Sequence, residues 1–159
     1  MQNVRLKLAR AHEHQQAIAG LAAQLTYSDC HVTIEQDIAA DQGWLVLRLP
    51  QCPPMLSVIV GDCLYNLRSA LDHLVWLLVE ANPSHKPTRK NMFPICGDPE
   101  LFAKQIKRGR LDGVADAART AIEGLQPYDG RDNPLKILDH LHNIDKHRMV
   151  LPRFDGHLG

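Results

Sequence analysis

Residues 54–81 constrain the fold more than any other part of this 159-residue chain. They read "PMLSVIVGDCLYNLRSALDHLVWLLVEA" and stand between Pro53-Pro54 and Asn82-Pro83. Proline suits the first turn of a helix, and the residue before a proline rarely continues one, so the run predicts a single helix. An apolar helix of this length needs neighbours packed along it, and we expect it to be the central element.

The two sides of this helix differ in polarity when its residues are placed at intervals of about 100°. The apolar face consists of Leu56, Val60, Cys63, Leu67, Leu71, Leu74 and Leu78. The other side consists of Asp62, Asn66, Ser69, Asp72, His73, Trp76 and Glu80, with Arg68 at the border. We therefore predict an amphipathic helix whose polar residues occupy its free side.

Four further helices are predicted around the central one. Residues 2–25 carry a heptad-spaced series, typical of a helix packed along another helix. The series is Met1, Val4, Leu8, Ala11, Gln15, Ile18, Ala22 and Leu25. Helices are also expected over 99–108 and 111–124, and an Asn-Pro pair suits the cap and start of a final helix over 134–148.

One β-hairpin is predicted over residues 31–49, where "HVTIEQDI" and "WLVLRL" flank the turn "AADQG". An isolated hairpin is marginally stable, so it must pack on the helices. In the loop of residues 82–98, Phe93 and Ile95 are expected to anchor the chain to the body. The predicted fold is a single domain over 1–159 of the mainly α (α+β) class: a helical bundle with a long central helix and one β-hairpin.

The chain has 18 Lys and Arg and 18 Asp and Glu, so its net charge is zero. This balance disfavours a protein that coats nucleic acid. The exception is the segment of residues 86–110, which contains seven Lys and Arg but only two acidic residues and so has a net charge of +5. Such a segment either meets phosphate or forms a solvated face. The four cysteines have no short paired spacing, the charged start is no signal peptide, and no apolar run reaches the roughly 20 residues that span a bilayer. We expect a cytoplasmic protein with free thiols, away from membranes.

Several common sites are missing from the sequence. There is no glycine-rich phosphate loop of the Rossmann or P-loop type and no GxSxG nucleophile elbow. Nine histidines invite a metal site, but no HExxH and no thiolate cluster occurs. We therefore expect no metal and no other cofactor.

A polar constellation within the central helix is the first candidate for chemistry. It comprises Asn66, Arg68, Asp72 and His73. Arg68 and His73 lie about 140° apart around the helix, so both reach one pocket only if it straddles the polar side or if a second helix or subunit closes over it. The alternative is surface decoration, with Asp72 bonding Arg68 at the favourable spacing of four.

The second candidate is "DHLHNIDKHR", residues 139–148. Asp139, His142, Asn143 and Lys146 share one face through spacings of three and four. The alternative is a polar helix end, because cations suit the negative C-terminus of a helix. Whether this face meets the polar side of the central helix decides between the two interpretations.

The segment "NLRSALDHLVW" resembles the arginine–four residues–histidine signature of HEPN domains, a superfamily of small helical bundles, with Arg68 and His73 at the two defining positions. Over residues 54–150 the chain is also similar to a widespread group of bacterial proteins without a settled activity. They share a motif like "GDCLYNLRSALDHLVW", a central "FPI", an "LQPY" turn and a late "NIDKHR". Members often continue into further strands, so this chain is expected to be a truncated or a minimal version.

The resemblance implies a function in RNA or nucleotide biology. Many HEPN domains are metal-independent endoribonucleases of toxin or antiphage systems that act as dimers, and others only bind nucleotides or a protein partner. His73 would then be the general acid or base, Arg68 would hold phosphate oxygens, and Asn66 and Asp72 would orient them. Phosphate or ligand binding would fall to Asn143, Lys146, His147 and Arg148.

Two departures from the HEPN pattern favour other functions. Ser69 follows the arginine where active members often carry a more polar residue, and the hairpin is an addition to the bundle. The alternative function is a non-catalytic binding or regulatory module that acts through a homodimer, with a nucleotide or a protein as its ligand. A metal-dependent enzyme is the third hypothesis.

Overall fold

The computed structural model describes residues 1–24, 31–37, 42–48, 53–128 and 133–147. The elements in these ranges are α1 (Gln2–Ala23), β1 (His31–Asp37), β2 (Gln42–Arg48), α2 (Pro54–Glu80), α3 (Pro99–Lys107), α4 (Asp116–Gly124) and α5 (Pro134–His147). The mainly helical class predicted from the sequence is confirmed. Within these ranges, every helix is too short or too polar to cross a bilayer.

The two strands pair antiparallel, from His31 opposite Arg48 to Asp37 opposite Gln42. Both lie within the segment predicted as a hairpin, residues 31–49. Residues 38–41, which include most of the predicted turn, and residue 49 lie outside the described residues. Gln42 and Gly43, predicted to belong to the turn, instead begin β2.

Helix α2 is the central helix, because α1 packs along it and α5 also contacts it. Pro54 stands in its first turn and Pro53 before it has an extended backbone, as expected for a proline start. The helix ends one residue before the predicted Ala81, which serves as its C-cap. The predicted last residues of the first and final helices, Leu25 and Arg148, lie outside the described residues.

The face that α1 turns toward α2 differs in register from the predicted series. Its buried and half-buried side chains are Val4, Lys7, Ala11, His14, Ile18 and Leu21. Leu8 is 48% exposed, and Gln15 is exposed as well. The heptad spacing is kept, but Lys7 and His14 take the places predicted for Leu8 and Gln15. A lysine can occupy such a position because its apolar stem packs while its ammonium group reaches outward.

The hydrophobic core lies on the other side of α2 and includes Val75 and Val79, which are fully buried. Neither belongs to the predicted apolar face. The other buried members come from the loop before α3, from α3, from the segment leading into α4 and from α4 itself. They are Phe93, Cys96, Phe102, Leu111, Val114 and Ile122. Phe93 and Ile95 do anchor the loop. The prediction of one free polar side is therefore wrong, because this loop and α5 cover much of it.

Helix α4 begins at Asp116 and not at the predicted residue 111. Gly113 has φ +83°, and a Cβ there would lie 2.8 Å from the side chain of His85. This left-handed glycine interrupts the helical backbone between Leu111 and Asp116. Leu111 and Val114 are still buried in the core. The apolar spacing that predicted a helix from residue 111 therefore includes two residues of the turn before α4.

Candidate functional site

Arg68 and Asp72 hold the peptide of Phe93 against α2. Arg68 Nη2 donates a hydrogen bond to Phe93 O at 2.8 Å, and Phe93 N donates to Asp72 Oδ1 at 2.9 Å. The two side chains also form an ion pair, with Nη2 3.3 Å from Oδ1. The expected bond between Arg68 and Asp72 is present, but the pair is no surface decoration, since it satisfies both backbone groups of a core residue.

Arg68 keeps part of its hydrogen-bonding capacity unused. Its side chain is 13% exposed, and its Nη1 atom is buried without a partner in the part of the chain that the structure describes. A buried donor left unpaired costs about 1–3 kcal/mol, more when the group is charged. Such a group is satisfied when a ligand or water bonds to it.

A pocket of about 380 Å³ lies between α2 and α5, and Arg68 forms part of its wall. The lining residues are Tyr65, Arg68, Ser69, Asp72, Met92, His142, Asp145 and Lys146. The polar sides of the two helices therefore do meet, which was the question left open by the sequence. The volume of this pocket lies in the range of small-molecule binding sites.

His142 is the histidine that α5 brings to this pocket. It is only 8% exposed, and burial together with the nearby Lys146 and Arg68 lowers the pKa of its imidazole, against the opposite influence of Asp139 and Asp145. A lowered pKa keeps the ring neutral near pH 7, with one nitrogen as donor and the other as acceptor.

Asp145 enters the pocket because α2 has a glycine opposite it. A Cβ on Gly61 would lie 2.7 Å from Asp145 Oδ1, so any other residue there would collide with the carboxylate. Glycine inside a helix costs about 1 kcal/mol relative to alanine. At Gly61 the absence of a side chain allows the Asp145 carboxylate of α5 to lie against the backbone of α2.

Tyr65 adds an aromatic wall. The residue is 58% exposed, and Lys7 of α1 holds its Nζ 5.2 Å from the ring centroid, a cation–π contact. With Arg68 and Lys146 in the lining, three cations surround the site. Asp72, already paired with Arg68, and Asp145 are the carboxylates in the lining.

Gln126, in the "LQPY" turn, fixes the far end of the loop that carries Phe93. Its Oε1 accepts from Cys96 N at 2.9 Å, and its Nε2 donates to Pro94 O at 3.0 Å. The "FPI" and "LQPY" motifs thus share one buried hydrogen-bond network. The loop that it fixes also carries Met92, which lines the pocket.

The predicted residues of α2 are only partly brought together. Arg68 and Asp72 line the pocket, whereas His73 is half-buried and is not among the lining residues. Asn66 is buried and donates from Nδ2 to Asp62 O in its own helix at 2.8 Å. The angle between Arg68 and His73 explains the separation, because α5 packs over the side of α2 that carries Arg68.

Of the four predicted binding residues near the C-terminus, Lys146 lines the pocket. Asn143 is exposed and donates to Asp139 Oδ2 at 3.1 Å. His147 is exposed at the end of α5, and Arg148 lies outside the described residues.

Tyr65 and Asp145 were not predicted as site residues, and His142 was named only as part of the polar face of the final helix, without a catalytic or binding role. The signal for His142 was its helix face, which it shares with Asp139 three residues before it and Lys146 four residues after it. Among the described residues no group of three or more His, Cys, Asp or Glu side chains could hold a metal ion. Their two cysteines, Cys63 and Cys96, are free thiols whose pKa burial raises.

Comparison with known proteins adds no family to this description. No protein-family model matches the chain, and neither a curated protein nor a solved structure matches it.

Proposed function

We propose that the chain is a binding module that holds a phosphate-bearing ligand, a nucleotide or RNA, in the pocket between α2 and α5. The observation that carries the proposal is the buried, unpartnered Nη1 of Arg68 in an arginine that lines the pocket beside Lys146. Guanidinium and ammonium groups together suit phosphate oxygens. The resemblance of the Arg68 segment to HEPN domains supports the same class of ligand.

The remaining lining favours a nucleotide over inorganic phosphate. Asp145 repels a bare anion but accepts hydrogen bonds from ribose hydroxyls or base amino groups. Tyr65 offers an exposed ring on which a base can stack. Neutral His142 and Ser69 add one further donor and acceptor each.

An endoribonuclease is the second candidate, and the convergence of His142 with Arg68 favours it. His142 would accept the proton of a ribose 2′-OH, the 2′-oxygen would bond to phosphorus, and the 5′-oxygen would leave with a proton from Lys146. This assigns the proton transfer to His142 and not to His73.

Calorimetric titration with AMP, GMP, CMP and UMP tests the proposal, with inorganic phosphate as comparison. Arg68→Ala would also release Phe93, so the informative variants are Lys146→Ala and Tyr65→Leu, and Lys136→Ala is the matched control on α5. We expect binding of at least one nucleotide, weakened about tenfold or more in both variants and unchanged in the control. Equal affinities in all four proteins, or no binding, would contradict the proposal.

Incubation of wild type, His142→Gln and His73→Gln with RNA in EDTA separates binding from catalysis. Intact RNA identifies a binding module. Cleavage that is lost in His142→Gln and retained in His73→Gln identifies the endoribonuclease.

A further inference from the structure

A smaller pocket of about 130 Å³ adjoins the one between α2 and α5, because Arg68 and Met92 line both. Gln105 and Arg110, from the end of α3 and the turn after it, form another part of its wall. Arg110 donates from Nε to Gln105 Oε1 at 3.3 Å. Arg68 therefore stands between the proposed nucleotide site and the turn that follows α3.

This turn gathers cations from two segments of the chain. Gly109 N donates to Ile106 O at 2.9 Å and Arg110 N to Gln105 O at 3.2 Å, which closes the end of α3. The loop before α3 packs against the turn, since Met92 N donates to Arg110 O at 3.2 Å. Lys90, from the same loop, also lies against the turn, because its Cδ is 3.6 Å from the position that a Cβ on Gly109 would take.

The resulting basic surface, defined as Lys90, Lys107, Arg108 and Arg110, has little acid to balance it. Asp112 lies beside Gly109, and Asp139 of α5 lines the second pocket with Arg68 and Arg110. The two acids of residues 86–110 are at the opposite end of α3, where Asp98 caps the helix by accepting from Leu101 N at 2.7 Å and Glu100 lies in the first turn.

Stabilisation of the α3 C-terminus does not account for this number of cations. The negative end of a helix interacts favourably with cations in its last turn, and the effect falls off beyond that turn. Lys90 belongs to another segment and Arg110 lies past the helix end. The four cations outnumber the carboxylates of Asp112 and Asp139, so the surface keeps a positive charge that attracts an anion.

We propose that the basic surface continues the phosphate site of the first pocket and binds the backbone of a nucleic-acid strand. The inference rests on the proposed function, because the strand reaches the first pocket through Arg68 and Arg110, which together line the second. One nucleotide occupies the first pocket, and the neighbouring phosphates lie along the basic surface. The preferred ligand is then an oligonucleotide and not a free nucleotide.

The test compares a mononucleotide with a single-stranded RNA of about ten nucleotides, a length within the usual site sizes of strand-binding proteins. The variant combines Lys90→Gln, Lys107→Gln and Arg108→Gln. Its control combines Arg5→Gln, Arg10→Gln and Lys136→Gln, three exposed cations elsewhere whose removal changes the net charge equally. Fluorescence anisotropy at several salt concentrations gives the affinity and its salt dependence.

We expect wild type to bind the strand more tightly than the mononucleotide. The basic-surface variant should lose about tenfold or more in strand affinity and part of the salt dependence, since each phosphate contact contributes to that slope. Its mononucleotide affinity should equal that of wild type and of the control. Equal loss in the control, or no preference of wild type for the strand, overturns the inference.

Failure of the proposed function gives a different pattern. Mononucleotide binding would then be absent, or unaffected by Lys146→Ala and Tyr65→Leu. A strand that binds through the basic surface but ignores both pocket variants overturns the continuous path proposed here.

Discussion

Arg68 divides its guanidinium between two tasks. Nη2 satisfies the carbonyl of Phe93 and the carboxylate of Asp72, whereas Nη1 is buried without a partner among the described residues. The first task is structural and does not depend on a ligand. The second is the part that we assign to phosphate in the proposed function.

His142 makes stability depend on pH. Burial, Lys146 and Arg68 lower its pKa in the folded protein, so below the ordinary value of 6.5 the unfolded chain binds a proton that the folded chain resists. Its contribution to the free energy of unfolding is full above about pH 6.5 and declines as the pH falls toward the lowered pKa.

Urea unfolding between about pH 8 and pH 5 measures this dependence. We expect His142→Gln to reduce the loss of stability in acid. His140→Gln on the exposed side of the same helix should keep the wild-type dependence. Identical pH profiles in the two variants would refute the assignment to His142.

At the scale of elements, the contact between α2 and α5 depends on Gly61. Alanine there should gain about 1 kcal/mol of helix propensity, but its Cβ meets the carboxylate of Asp145. We expect Gly61→Ala to leave stability almost unchanged in the wild-type background. In an Asp145→Ala background the same substitution should stabilise by about 1 kcal/mol.

Thermal or urea unfolding of the four proteins in this double-mutant cycle checks the prediction. Coupling between the two positions is the expected result, because they are in contact. Additive effects would mean that the carboxylate of Asp145 does not lie against Gly61.

The helices were predictable where local chemistry defines them. Prolines start α2, α3 and α5, and the apolar content of α2 made it the central helix. The register of α1 was not predictable, because series through Lys7 or Leu8 have the same spacing and only packing distinguishes them. The start of α4 was missed because Leu111 and Val114 are buried from a turn as well as from a helix.

The sequence predicted which two helices form the candidate site, but not which histidine lies in it. Polar faces on α2 and α5 indicated a meeting point, and Arg68, Asp72 and Lys146 are there. Which histidine joins them depends on the side of α2 that α5 covers, and no local pattern specifies that. The structure brings in His142, which the HEPN-like spacing of Arg68 and His73 could not indicate.

At the scale of the whole molecule, the proposed site adjoins the core, because Arg68 and Asp72 bond to the backbone of the core residue Phe93. An apolar groove of about 350 Å³, lined by Leu8, Leu67 and Leu135 among others, lies between α1, α2 and α5, and Arg68 is not part of its wall. The homodimer expected from the sequence stays a prediction.

The most direct test of the central claim is an NMR titration of isotope-labelled protein with the tightest-binding mononucleotide. We predict that the amide signals of Tyr65, Ser69, Met92 and His142 and the guanidinium signal of Arg68 shift together along one saturation curve, while those of α4 stay in place. No saturable shift, or shifts centred on the groove at Leu8 and Leu135, would contradict a phosphate site between α2 and α5.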